Sequence, residues 1–367
     1  MAATDWLRRA ARVLGGLLAL HPAGPAGAAE VPADDAEAMI HVYDGGGVRA
    51  VGPALLVRKS LADRVSASAS YYVDAVSNAS IDVVTTASPF KETRNEVGLG
   101  LDYAVRDALV TASFSRSTEP DYTASSLGLD VAQDVFGGMT SVSMGFSRGR
   151  DDVGKVGDPG FADQATHWQY RVGATQVLTP TWLMSANLEA IADEGLLGSP
   201  YRAARVFGAA VPERLPRTRS SRALKLRAIG AVGEVSSVRA EYRYYWDTWA
   251  LRGHTVEFGG ARRLGDGWLA EATLRLHSQN SALFYSDNAT AETEYITRNR
   301  QLSAFRDWGV GAKLSTDVPH LPATWKLRAT MGYEFKRFDF QDFTDLRTGT
   351  LYAHNAHLLQ INVSAPF

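Results

Sequence analysis

Val238-Arg239-Ala240-Glu241-Tyr242-Arg243-Tyr244-Tyr245-Trp246-Asp247 alternates apolar and polar residues, with Tyr245 the one aromatic on the polar side. Successive side chains of an extended strand point to opposite faces, so Val238, Ala240, Tyr242, Tyr244 and Trp246 share one face. Arg239, Glu241, Arg243 and Asp247 share the other. The same grammar recurs where Trp325, Leu327, Ala329, Met331, Tyr333 and Phe335 interleave with Lys326, Arg328, Thr330, Gly332, Glu334 and Lys336. It recurs less cleanly where Trp268, Ala270, Ala272, Leu274 and Leu276 interleave with Glu271, Thr273, Arg275 and His277.

An apolar sheet face can point at a second sheet, as in a soluble sandwich, or at lipid. The alternating segments run to about 11–14 residues, against the five or six usual in soluble sheets, and that length suits a tilted strand crossing a bilayer. Of the eight tryptophans, Trp168, Trp182, Trp246, Trp249, Trp268 and Trp325 fall at or beside strand ends, as in an aromatic girdle, whereas Trp308 lies deeper. The chain closes on Leu359, Ile361, Val363, Ala365 and Phe367 in alternation, which resembles the C-terminal signal of outer-membrane barrels and makes Phe367 the expected handle for the barrel-assembly machinery.

The 367 residues are 45% hydrophobic and 21% charged, with no cysteine. That excludes disordered and disulfide-stapled classes, cysteine-based metal sites and thiol nucleophiles. The formal charge of −2 and the lack of a dense basic run argue against a nucleic-acid partner. Residues 1–29 carry Arg8, Arg9 and Arg12, then an apolar core, then Ala26-Gly27-Ala28-Ala29, and read as a secretory signal peptide, leaving 30–367 as one domain.

Turn residues count the strands. Short turns are expected near 61–64, 106–108, 133–137, 179–181, 232–235, 264–267 and 318–323. Longer segments are expected at 77–94, 149–166, 194–218, 278–301 and 337–349, with tight turns on the same side near 118–122 and 247–250. Gly45-Gly46-Gly47 resembles a phosphate-cradling loop, but no helix follows it, so a hairpin between a strand at 38–43 and another at 48–59 is expected. Reading back from the last strand gives an all-β fold: a transmembrane antiparallel β-barrel of sixteen strands, with fourteen or eighteen inside the boundary error.

With the apolar faces on lipid, Arg171, Lys225, Arg227, Arg239, Arg243, Arg275, Lys326, Arg328 and Lys336 would line the lumen against Glu241, Asp247, Glu271 and Glu334. Such a lumen leans basic and would favour anions, unless the charges pair across strands. Glu92, Arg94, Glu119, Asp121, Tyr122, Tyr201, Arg202, Asp247, Trp249 and His254 fall at the long-loop rim, as a ligand site, an inward-folded gate or salt-bridged packing.

Catalysis has little support. His354 and His357 sit three apart on a strand and face opposite ways, so they cannot share a metal. His254 with Asp247 is the one acid–base pair the spacing suggests, and no G-x-S-x-G or H-E-x-x-H accompanies it. No catalytic residue, metal site or cofactor is expected.

Asp82-Val83-Val84-Thr85-Thr86-Ala87-Ser88-Pro89 with Glu92 and Arg94, Ser117-Thr118-Glu119-Pro120-Asp121-Tyr122, Pro200-Tyr201-Arg202, Tyr242–Trp249 and Ser281-Ala282-Leu283-Phe284-Tyr285 resemble the signature blocks of a bacterial outer-membrane family, domain of unknown function family 3570. The block at 82–88 departs from that family's Ser-Gly-Ala-Ser or Ser-Gly-Ala-Thr pattern, although Ser77-Asn78-Ala79-Ser80 is similar to it. The resemblance implies a barrel in the bacterial outer membrane, in contact with its lipid and lipopolysaccharide, and supplies no substrate. The expected function is a porin-like channel for small, anionic solutes. A plugged barrel that docks another envelope protein is the alternative, and an outer-membrane hydrolase comes third.

Overall fold

In a computed structural model, residues 29–78, 90–265, 267–318 and 326–367 are described; the expected signal peptide, the block at 82–88 and Trp325 lie outside them. The strands are β1 (Asp35–Gly45), β2 (Val48–Ala62), β3 (Val65–Asn78), β4 (Phe90–Val105), β5 (Ala108–Glu119), β6 (Tyr122–Val135), β7 (Thr140–Val153), β8 (Asp163–Thr179) and β9 (Trp182–Gly195). After a small hairpin of β10 (Ala203–Val206) and β11 (Ala209–Pro212) come β12 (Thr218–Val232), β13 (Ser236–Asp247), β14 (Arg252–Gly265), β15 (Trp268–Gln279), β16 (Phe305–Asp317), β17 (Arg328–Asp345) and β18 (Thr350–Pro366).

All but β10 and β11 join one closed antiparallel barrel of sixteen strands, in which each strand pairs with its sequence neighbours and β12 pairs with β9. Closure is made by β1 on β18, from Asp35 opposite Pro366 to Gly45 opposite Ala356. A closed barrel has no edge strand, so every strand finds backbone partners on both sides. At the short-turn end the Lys59 ammonium lies 2.5 Å from Asp34 and 4.8 Å from the centre of the Phe367 ring, which ties both chain ends to the seam.

Alternation decides what faces where. Leu99, Leu101, Leu129, Met144, Val172, Leu188, Phe258, Leu274, Met331 and Ile361 stand on the outer surface and stay exposed. An apolar belt of this extent around a barrel is a surface made for lipid. Trp182 and Trp268 start their strands at the short-turn end, while Trp168, Trp246 and Trp308 sit near the long-loop end. Trp308, expected deep in its strand, is in the girdle because β16 begins at Phe305. Trp249, expected in the girdle, points inward and is 3% exposed, because it follows the end of β13 and anchors a loop.

The long segment expected at 337–349 is instead the extended end of β17, a register irregularity between Asp339 and Thr344, and a turn at 346–349. Inward-facing Phe338, Phe340 and Phe343 pack with Tyr352 there, and that burial keeps the strand going beyond the apolar belt.

The two faces make opposite demands on a charge. Leu274→Arg, on the belt, is expected to destabilise the refolded barrel by about 2–4 kcal/mol in urea titrations in lipid vesicles. Ser143→Arg, which points inward from β7, should cost little by the same measurement.

Candidate functional site

The inward face carries charged side chains at mid-height, and they are paired. The Arg171 guanidinium donates to both Asp130 oxygens at 2.7 and 2.8 Å, although β7 lies between their strands. The residue of β7 between them is Gly145, and a Cβ there would stand 2.1 Å from the Asp130 carboxylate. Glycine at this position lets two long side chains meet flat against the wall. On β2, Gly52 lies opposite His41, whose ring nitrogen is 2.6 Å from the Asp74 carboxylate of β3, and here glycine lets the backbones approach. A Cβ on Gly52 would lie 1.6 Å from the Val73 carbonyl oxygen.

Most of the other sequence-predicted lumen cations also find acids. Lys225 reaches Glu241 at 3.0 Å and Arg227 approaches it at 4.0 Å. Arg239 pairs with Glu257 at 2.8 Å, Arg275 with Asp307, and Lys336 with Glu334 at 2.9 Å. Arg328 stands 4.0 Å from Asp317 at the short-turn end. Arg243 lies 5.8 Å from the Tyr245 ring. The expected excess of positive charge is therefore largely compensated. Asp130, Glu257 and Asp307 were missed because their strands are less apolar than the three that set the pattern, yet each sits between outward residues, as Glu257 does between Val256 and Phe258.

Toward the long-loop end the inward groups form linked sets. The Tyr122 hydroxyl donates to Asp151, and the His167 ring stands between Asp151 at 2.8 Å and Asp193 at 2.7 Å. Arg219 donates to Asp247 through two nitrogens at 2.9 and 2.5 Å and lies 4.4 Å from the Trp249 ring centre. Asp247 also accepts from the backbone N–H groups of Trp249 and Leu251, both at 2.9 Å, which fixes the turn after β13.

That turn carries a cover built from two loops, 196–217 and 280–304. Trp249, Leu251, Ala282 and Leu302 form its core with Leu197, Leu215 and Phe284. Bridges of Val206 with Ala289 and Arg214 with Ile296 join the two loops, and Ile296 is 1% exposed. The second loop then reaches β17, the strand next to β16, and the turn between β1 and β2. Arg298 stacks 4.2 Å over the Phe343 ring and donates to Asp287 and to the Thr344 carbonyl, while the Tyr285 hydroxyl donates to the Asp342 carbonyl at 2.9 Å. Arg300 extends to the Gly46 carbonyl, between β1 and β2.

The rim residues singled out from sequence divide accordingly. Glu119, Asp121 and Tyr122 line a groove of about 710 Å³ with Asp152, Asp163 and Arg217. The Tyr201 hydroxyl donates to Asp121 and accepts from the Val156 N–H at 2.6 Å, which latches the first loop to that groove. Arg202 faces Glu213 inside the loop, and Arg94 is buried in the wall, donating to Ser117 at 2.9 Å and to Glu96. Glu92 is half-buried near the start of β4. His254 is not with them. It lies opposite Tyr244 on the outward face, with its Nδ1 2.8 Å from the Tyr242 hydroxyl, while Asp247 points inward. The acid–base pair suggested by spacing is thus split by strand alternation. Among the described residues no group of three or more His, Asp or Glu is placed to hold a metal ion.

The model of a protein family of unknown function, DUF3570, matches residues 160–339, the family that the sequence blocks resemble. Among solved structures the barrel is similar to a bacterial polysaccharide outer membrane secretin, with TM-score 0.50 and 10% identity over 90% of this chain and 98% of that one. It is also similar to CdiB from Acinetobacter baumannii, with TM-score 0.51 and 9% identity over 91% of this chain, which spans 60% of CdiB. These likenesses concern the fold of outer-membrane β-barrels. No curated protein matches the chain.

Two outcomes follow for the cover. Asp247→Ala leaves the Arg219 cation without its carboxylate and removes both turn caps, so the cover should loosen by about 3–5 kcal/mol. Limited proteolysis will show faster cleavage at 196–217 and 280–304, and Asp247→Asn, which keeps a capping oxygen, will fall between. For Tyr201, burial and then the bond to Asp121 push the hydroxyl up to about 12 from its ordinary 10.0. Its latch is fully present below pH 10 and is lost as pH rises through about 12. Loop cleavage should stay flat through pH 10 in the wild type and be raised over that same range in Tyr201→Phe.

Proposed function

We propose that this chain is a channel of the bacterial outer membrane that passes small hydrophilic solutes without chemistry, and that its cover throttles the outer mouth. The long loops then face the exterior and the short turns the periplasm. The lipid-facing belt meets outer-membrane lipid and lipopolysaccharide, and Phe367 is the assembly handle.

One contrast carries this reading. At mid-height the Arg171–Asp130 pair is wet, with side chains 41% and 42% exposed, as is Lys225 at 39%, while His41 and Asp74 are enclosed. Under the cover the acids are dry, with Asp247 at 0% and Asp307 at 2%. Sixteen strands enclose an aqueous channel unless something fills it, and here accessible interior surface gives way to packed loop at one end. Because the cations have acid partners, selectivity is weak rather than anionic. An ion pair presents a dipole to a passing ion, whereas a lone guanidinium presents a full charge.

The test is conductance of the refolded mature protein in a planar bilayer under a salt gradient. Small discrete openings with a reversal potential near zero are expected. Asp247→Ala should enlarge them, and Glu257→Gln, which strips Arg239 of its partner, should shift the reversal potential toward anions. A folded barrel that stays silent in the wild type and in Asp247→Ala overturns the channel in favour of a plugged scaffold that docks another envelope protein.

A further inference from the structure

The outward face of β12, β13 and β14 carries cations that the inner face does not leave alone. Arg222, Trp246 and Arg252 stand side by side in one register row. In the row below, Tyr244, His254, Ser278 and Arg306 follow one another across β13 to β16. Arg222, Arg252 and Arg306 are all exposed, and none makes an ion pair among the described residues. The residues flanking the upper row are Ala190 and Asn280, neither of them acidic. Asp339, beside Arg306 in register, already takes Arg337 at 2.9 Å. Inside the barrel, by contrast, Arg171, Arg239 and Arg275 each hold a carboxylate.

The aromatics between these arginines are ordered. Tyr244 stacks on Trp246 with ring centres 5.2 Å apart and packs tilted against His254 at 4.9 Å, and Tyr242 holds His254 from below. Beside Tyr244 stands Leu224, and beneath them the face turns apolar through Leu226, Val256 and Phe258. The patch lies at the level of the long-loop girdle, where a lipid changes from headgroup to acyl chain.

We infer that this face is a binding site for a phosphorylated glycolipid of the outer leaflet. Arg222 and Arg252 are two strands apart, about 10 Å, and bracket the Trp246 ring. A sugar ring lying against Trp246 brings phosphates on either side of it within reach of the two guanidinium forks, which match phosphate oxygens bidentately. The acyl chains run down the apolar surface below. At the girdle an outward arginine is tolerated, and a phosphate supplies the partner that the protein does not. The inference rests on the outer-membrane location proposed above and needs nothing from conduction.

The experiment is native mass spectrometry of the detergent-solubilised barrel with bisphosphorylated lipid A, its dephosphorylated form and phosphatidylethanolamine as separate probes. The wild type should retain the bisphosphorylated lipid and neither of the others. Arg222→Gln with Arg252→Gln should weaken retention about tenfold or more. Arg148→Gln with Arg150→Gln, on the outward face of β7, should leave it unchanged, and heat-modifiable mobility in gels checks that both variants are folded. Equal retention by the Arg222/Arg252 variant, or equal binding of phosphatidylethanolamine, overturns the site. Displacement of the lipid by millimolar inorganic phosphate overturns the glycolipid in favour of a simple anion site. A barrel that conducts yet does not discriminate among lipids defeats this inference alone, and one that holds lipid A yet never conducts defeats the channel alone.

Discussion

A peptide group in hydrocarbon has no water to bond, so a sheet that crosses a bilayer has to close on itself. In this chain the closing contact is β1 on β18, an antiparallel seam of eleven register pairs. Everything else follows from it. Once the sheet is a barrel, each strand has one face on lipid and one in the lumen, and a residue's parity settles its environment before its chemistry is considered. His254 and Asp247 illustrate the force of the rule. They sit seven residues apart across a tight turn and still end on opposite sides of the wall.

Parity also governs how the interior is filled. The inward positions carry glycine among the charged and hydroxyl side chains, and long side chains from the two adjoining strands meet over the gap, as Asp130 and Arg171 do above Gly145. The pairing draws long side chains along the wall between neighbouring strands. The two loops at the long-loop end pack differently, through apolar clusters around Trp249, Leu302 and Phe343.

The barrel could be read in the sequence because the features that define it are local: a period of two, a turn every dozen or so residues, and tryptophans near strand ends. Strand number and both rims came from these alone. The cover was legible only as one of three possibilities for the rim residues, an inward-folded gate, and its packing could not be read. Trp249, Phe284 and Phe343 look like any aromatic near a strand end, and only the tertiary path of 280–304 brings them together. The lumen charge was half legible. The cations stood out where the strands are most strongly alternating, while Asp130, Glu257 and Asp307 lie on weaker strands, so a count from the clearest strands was biased toward the basic side.

That bias bears on where uncompensated charge resides. An arginine facing the lumen has carboxylates on neighbouring strands and water for the remainder, so pairing is easily met and its field is short-ranged. An arginine facing outward at the girdle depends on the few acids placed there, as Arg337 does on Asp339, and where none is placed it has no partner in the protein. Arg222 and Arg252 are in that second situation. A carboxylate placed beside them would cancel the charge within the protein, and the register shows Ala190 and Asn280 in those places instead. The outer surface at this height therefore presents positive charge to the membrane, and its natural counter-ion is carried by the membrane itself.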